Sequence, residues 1–394
     1  MLFYNLYFRG VILKVSVVKK RVTAPLYLIY RYGAGFLESR ERRLLMVAAV
    51  ESMAWTGQVP WHGEGVEVNG NLTPHEMMVA AGLDWSVSKR STWTSAKPMD
   101  QYEKDEHGNI DVELIEDPSR FTIVRDTDNA ILSSCGAGYK PIQNERIFDF
   151  FTKFAKEANV SMETAGSLRG GKDVWALAKL NESFELPGGD EINGYFLFRQ
   201  PHEAGHAMVI RDTEIRVVCN NTLQFALGKA SRGEFRMTHT TEFTDDIAKK
   251  AAEALGLIKE SNFEFQQAAQ LLASKKAKHG SVLEFITRLN QPDLYEEQLE
   301  HIRLLEEGKK VGDMFPLRDQ FTKYSELTLR ALEESPGATL KSSKGTWWGA
   351  LNAVTFVEDH QRGGANRAYS AMFGESSKRK AKALNLAIEY AEAA

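Results

Sequence analysis

Two stretches of this chain carry the residue types and spacing of known catalytic devices. His202-Glu203-Ala204-Gly205-His206 is a literal HExxH. On a helix, that spacing puts two imidazoles on one face to hold a zinc ion and leaves the glutamate to act as a base. Gly166-Ser-Leu-Arg169-Gly170-Gly171-Lys172-Asp173 has the GxxxxGK spacing of a loop that cradles phosphates.

Each device needs a particular element around it. Pro201 precedes the HExxH, Gly205 interrupts it and apolar strand-like runs flank it. The sequence therefore predicts a turn, with a metal-dependent hydrolase using His202, Glu203 and His206 kept as an alternative. The Gly166–Asp173 loop leads into Val174-Trp-Ala-Leu-Ala-Lys-Leu180, which reads as a strand where a phosphate loop requires a helix. Asp173 stands where a magnesium-holding Ser or Thr belongs, so a basic hairpin tip is expected. No GxSxG elbow or dinucleotide fingerprint occurs. Cys219 closes an apolar strand-like run and reads as buried, not as a nucleophile.

The elements that would position these groups follow from pattern. Thr73-Pro74-His75-Glu76 has the N-cap, N1 and N3 residues of a helix start. Asp126-Thr-Asp-Asn129 sits between two strand-like runs as a hairpin turn, and Asn144 caps a helix with Ile147, Phe150, Phe151 and Phe154 on one face. Gln101 to Glu116 is acidic and reads as an exposed loop or hairpin. Short connections then link strand-like runs at Val160 to Ser167, Asp173 to Leu180, Gly194 to Arg199, His206 to Arg211 and Glu214 to Cys219, which favours antiparallel pairing, and Asn220 or Asn221 starts a predicted helix to Gly228. From Thr244 the periodicity is helical, over Asp245 to Lys278, Ser281 to Leu289, Leu294 to Glu307 and Leu317 to Glu334. The expected class is α+β: a mostly antiparallel central sheet with flanking helices, followed by a long helical segment. The expected divisions are an extension at 1–52, an α+β core at 53–240, a helical segment at 241–336 and a C-terminal helical piece at 337–394 that packs back on the core.

Composition excludes more than it assigns. With 394 residues, 43% apolar content and a net charge of −4, the chain can bury a core and has no global pull toward nucleic acid or anionic lipid. Two cysteines, Cys135 and Cys219, fit a reducing, cytoplasmic setting without a zinc-cysteine site. No window is apolar enough to span a membrane. Arg40-Glu41-Arg42-Arg43 can be encoded by a purine-rich ribosome-binding site just upstream of Met46. Translation is accordingly expected to start at Met46 or Met53, the other reading being a genuine N-terminal arm.

Several segments taken together carry a family likeness: Pro60-Trp61-His62-Gly63, Ala81-Gly-Leu-Asp-Trp85, Tyr139-Lys-Pro-Ile-Gln-Asn144, Thr164 to Gly171, Arg216-Val-Val-Cys-Asn-Asn-Thr-Leu223, and Gly345 to Thr355 with Asp359-His360. In this order the chain resembles the phage/plasmid-like protein family (domain of unknown function 932), from about Met53 to the C-terminus. The resemblance brings no catalytic residues and no cofactor, and the family's turn near 202 reads His-Asp-Gly without the second histidine. It implies a bacterial host and the DNA metabolism of mobile elements. Asn366 to Gly374 also resembles a segment of single-strand annealing proteins.

The leading expectation is an accessory protein, not an enzyme, that binds nucleic acid, with single-stranded DNA as partner and an oligomer possible. Its candidate contacts are Arg169, Gly170, Gly171 and Lys172, then Arg216, Arg362 and Arg367. Trp347, Trp348 and Tyr369 are candidate stacking faces. Basic residues also gather at Lys89-Arg90, Lys341-Lys344 and Lys378 to Lys382. The competing readings are plain turns, core tryptophans and solvated helix termini, and a third class is a protein-binding module acting on a host partner.

Overall fold

The computed structural model describes residues 3–8, 11–17, 50–57, 65–107, 110–158, 160–216, 221–223, 234–244, 258–309, 320–364 and 366–394, with five positions between 246 and 253. Met46, the Pro60–Gly63 segment, Cys219 and the start of the helix expected from Leu317 lie outside these residues.

The architecture is α+β, with two sheets. The smaller holds β1 (Phe3–Phe8), β2 (Val11–Val17), β5 (Val87–Ser95), β6 (Ile110–Arg125) and β7 (Ile131–Gly136). Its order is β1-β2-β6-β5, with β7 also on β6, and only the β2–β6 pairing is parallel. The larger is built from β3 (Val50–Trp55), β4 (Val66–Glu67), β8 (Ser161–Leu168), β9 (Asp173–Leu186), β10 (Asp190–Pro201), β11 (Met208–Arg216), β12 (Asn221–Leu223) and β13 (Phe235–Met237). Its order is β12-β11-β10-β9-β8-β3-β4, with β13 also on β11, and all pairings but β3–β4 are antiparallel.

Strand alternation divides the core. Val174, Ala176, Ala178, Phe196 and Phe198 face one way, against α1 (Pro74–Ala80) and α2 (Asn144–Ala158). Trp55, Leu168, Trp175 and Leu197 face the other way, against Ala368 and Met372 of α8 (Arg367–Phe373). Successive side chains leave a strand on opposite faces, so a sheet covered on both sides buries both sets. Gly166 belongs to this logic, because a Cβ there would meet the Ser52 carbonyl oxygen of β3 at 2.7 Å.

The far end of the β9–β10 hairpin enters a helical layer. Leu186 and Ile192 pack with α3 (Ile258–Ser274), α4 (His279–Asn290), α7 (Trp347–Phe356) and α9 (Glu375–Glu392). Between α4 and α7 in the chain lie α5 (Pro292–Glu306) and α6 (Lys323–Glu334). A single π-helical turn, Val357–Gln361, extends α7. No helix among the described residues is long and apolar enough to cross a membrane.

The acidic stretch expected as an exposed loop or hairpin is part of the β5–β6 hairpin, strand from Ile110, where Ile110, Val112 and Leu114 alternate with the acids and Val112 is buried. Three expectations change. His206 to Cys219 was expected as two runs, yet Met208–Arg216 is one strand, since Asp212 and Thr213 are buried within it instead of breaking it. Asn221–Leu223 pairs with β11 as strand, where a helix start was expected. The helical stretch expected to reach Lys278 stops at Ser274.

Candidate nucleic-acid interface

The HExxH residues form a bend and a turn, with Gly205 at φ +87°. The His202 N–H donates to the Lys172 carbonyl oxygen at 2.8 Å, which fixes the residue at the close of β10. Its ring is buried 5.0 Å from Trp85, and Nε2 is 2.9 Å from Oδ1 of Asn144. Asn144 in turn donates Nδ2 to the carbonyls of Leu83 and Trp85. Burial, reinforced by the nearby His239 and Arg125, pulls the His202 pKa down to about 3, so the imidazole is neutral. His206 is half-buried and its Nε2 lies 3.5 Å from Oε2 of Glu203. The two rings therefore serve different neighbours and share no metal position. Among the described residues no group of three His, Cys, Asp or Glu could hold a metal ion.

The Arg169 turn is a hairpin tip between β8 and β9. Arg169, Gly170 and Gly171 have φ of +56°, +70° and +84°. A Cβ on Gly171 would meet the Arg125 guanidinium at 2.7 Å, so glycine is needed there for both reasons. Arg169 Nε donates to Asp173 at 2.6 Å, its Nη2 pairs with Glu203 at 2.7 Å, and its guanidinium lies 4.4 Å over the Tyr369 ring. Arg199 donates Nε to the other Asp173 oxygen at 2.8 Å and Nη2 to the Tyr369 hydroxyl at 3.1 Å. Lys172 lies 3.7 Å from Glu203. Asp173, the residue that spoils the phosphate-loop pattern, is thus a fully buried anion shared by two arginines. This basic tip is an internal knot that ties the sheet to α8.

The other expected contacts disperse. Trp347 and Trp348 are 1% and 0% exposed, so they offer no stacking face; the earlier expectation is corrected by their place in the helical core. Trp348 donates Nε1 to the buried Asp190 at 2.9 Å, and Ser342 donates to the same oxygen at 2.6 Å. The Tyr369 ring is half-buried beneath two arginines. Arg362 pairs with the buried Glu358 at 3.2 Å and lies 4.2 Å over Tyr324. Arg367 donates to the His360 carbonyl at 3.4 Å. Arg216 closes β11 opposite Asn221. Lys380 is buried against Asp359 at 2.6 Å.

One basic surface has no such partners. Because α3 ends at Ser274, the run Lys275-Lys276-Ala277-Lys278 is loop, and it pairs with the loop before α7. Ala277 N–H donates to the Gly345 carbonyl at 3.0 Å, Trp347 N–H to the Lys275 carbonyl at 3.2 Å, and Lys276 bridges Thr346. Lys275, Lys276 and Lys278 thereby join Lys341 and Lys344, and all but the half-buried Lys275 are exposed. None of the five makes a side-chain ion pair or hydrogen bond with a described residue. No Asp or Glu occurs between Ala268 and Leu283 or between Ser335 and Val357. The helices α4 and α7 both start here, and Lys278 supplies no side-chain cap to α4, so two positive helix ends add to the lysine charge. Lys341 and Lys344 are visible as a basic pair in sequence. The other three were hidden by reading the helix through them, although a Lys-Lys-Ala-Lys-His-Gly run ending in glycine is a signal of a helix that has stopped.

The family described as Domain of unknown function (DUF932) matches residues 131–387. The chain belongs to this family. No curated protein and no solved structure matches it. The matched region includes the Arg169 knot and all five lysines. Two of the motifs that carried the resemblance have structural jobs in this DUF932 chain. In Tyr139 to Asn144, Gln143 bonds both backbone groups of Val87 at 3.0 and 2.9 Å, closing the edge of β5, and Asn144 holds His202. In the segment from Gly345, Thr346 caps α7 through the Gly349 N–H at 3.2 Å. A Cβ on Gly349 would come within 2.0 Å of the Ser343 carbonyl oxygen.

Proposed function

We propose that this DUF932 protein binds nucleic acid through its phosphate backbone at the Lys275–Lys278/Lys341–Lys344 surface, as an accessory factor in the replication or recombination of a phage or plasmid. The observation that carries the reading is five lysines brought together from two segments that hold no Asp or Glu, with no side-chain ion pair to a described residue. A cluster of this kind gathers polyanion without reading sequence, because neutralised phosphates release condensed counterions. With the tryptophans buried, the contact is electrostatic and not a base-stacking platform. The mobile-element setting rests on the family resemblance alone.

The test is fluorescence anisotropy with labelled single- and double-stranded oligonucleotides over a salt series. If all five lysines meet phosphates, the log–log salt slope reaches about −3.5 on single strands and about −4.5 on duplex. Changing Lys276, Lys278 and Lys344 to Gln removes three charges and flattens the single-strand slope by about 2. Absence of binding at low salt, or an unchanged slope in the triple variant, refutes the reading.

A further inference from the structure

The lysine surface has a counterpart on the same chain. Beyond Arg125 and Val87 the strands β5 and β6 run on as a hairpin arm to Ser95 and Leu114. Residues 96–117 carry eight carboxylates against Lys97 and Lys104. Seven of these eight acids are exposed, and Asp117 is half-buried. Lys97 lies 4.6 Å over the Tyr102 ring, whose hydroxyl donates to the Glu113 carbonyl at 3.0 Å, and β2 pairs along Ile110–Leu114 with Lys14 opposite Asp111.

The base of the arm and the lysine surface sit at opposite ends of the β9–β10 hairpin. The base of the arm is at the Asp173/Pro201 end of the β9–β10 hairpin, where Arg125 lies against Gly171 and Trp85 against His202. The lysines are at the Leu186/Asp190 end, where a Cβ on Gly188 would meet the Lys341 backbone at 3.0 Å and Ser342 bonds Asp190. The strand β10 spans 12 residues between these ends, roughly 35 Å at strand rise. Several Debye lengths at physiological salt separate the lysines from the base of the arm.

We propose that the acidic arm of one copy seats on the lysine surface of the next, joining copies head to tail. Such a contact is heterologous: each copy uses one pole to give and the other to receive, and the assembly closes into a ring or grows as a filament. The proposal shares the lysines with the nucleic-acid reading but rests on the carboxylates of the arm, so either can fail alone.

Analytical ultracentrifugation of the full chain decides it. In about 0.01 M salt, where the Debye length is about 30 Å, the chain assembles with rising concentration; in about 1 M salt, where it is about 3 Å, the chain is monomeric. A patch reversal (Lys276→Glu, Lys278→Glu, Lys344→Glu) and an arm reversal (Glu103→Lys, Glu106→Lys, Glu116→Lys) each abolish assembly, and an equimolar mixture of the two restores it. Should a triple reversal fail to fold, Lys276→Gln and Glu106→Gln measured singly each weaken association by about two- to five-fold. A wild-type chain monomeric at low salt, or reversals that assemble as well as the wild type, overturns the proposal. Oligonucleotide binding by the arm reversal is measured alongside. Its loss from a chain whose wild type assembles counts against the nucleic-acid reading only.

Discussion

Replacing His202 and His206 one at a time separates a metal site from a structural turn. In a zinc site the two histidines are equivalent, and removing either loses the metal. In this fold they are not. His202→Ala deletes a ring that is 1% exposed and packed on Trp85, and it leaves Oδ1 of Asn144 buried without its 2.9 Å partner. The cavity and the stranded acceptor together cost about 3 kcal/mol. At an m-value of about 3 kcal/mol/M that lowers the urea midpoint by about 1 M. His206→Ala removes a half-buried ring with a 3.5 Å contact to Glu203 and changes stability by less than about 0.5 kcal/mol. The acid limb gives a second readout. Burial holds the folded His202 pKa near 3, below the ordinary value of 6.5. Its contribution is therefore complete above about pH 6.5 and is lost as pH falls toward 3, because only the unfolded chain takes up the proton. Gln at 202 flattens that limb. Equal destabilisation by the two alanines, with stoichiometric zinc lost from both, would falsify the structural account of the turn.

Three further outcomes are expected. Glu214 is buried on β11, neither carboxylate oxygen has a hydrogen-bond partner among the described residues, and burial, aided by Asp212, pushes its pKa well above 4.5. Burial favours its neutral form, so its contribution is fully present below about pH 4.5 and lost as pH rises; Glu214→Gln should stabilise the chain in urea melts at pH 8 and leave it nearly unchanged at pH 4. Gly349→Ala drives a methyl into the Ser343 carbonyl and should cost more than about 3 kcal/mol or yield insoluble protein, read by thermal melting of whatever remains soluble. Lys380→Met removes the ammonium 2.6 Å from the buried Asp359 and should cost about 3–5 kcal/mol; adding Asp359→Leu should recover much of it in a double-mutant cycle.

What could be read from the residues was local. Thr73 and Glu76 form the capping box their types announced, with mutual bonds at 2.8 and 3.2 Å. Asn129 takes the left-handed φ of +59° that a tight hairpin needs. The α+β class followed from the switch between period-2 and period-3.6 patterning. What could not be read was partnership at long range. Nothing near Arg169 announces that Glu203 and Tyr369 will occupy its guanidinium. The double tryptophan looks the same in sequence whether it faces bases or a core, and only the helices packed around it decide. The lysine surface was missed for a different reason: the residues from 275 have respectable helix propensity, and the backbone bonds to Lys275 and Ala277 from a loop some seventy residues later override it.

The stacking of Arg169 and Arg199 on Tyr369 sets an order for biosynthesis. Arg199 and Arg211 on the sheet, with Arg169 at its β8–β9 tip, are covered by Tyr369, Phe373 and the Met372 carbonyl, about 160 to 200 residues later in the chain. A ribosome-bound chain can complete its central strands long before α8 exists. During that interval one sheet face, with Trp55, Trp175 and Leu197, is bare and cationic. Contacts this distant in sequence form late, and the exposed intermediate is where misassociation starts. A stop codon shortly before Arg367 would therefore leave a nascent sheet without its lid, so truncated products should be recovered with chaperones or in aggregates, not as shortened native protein.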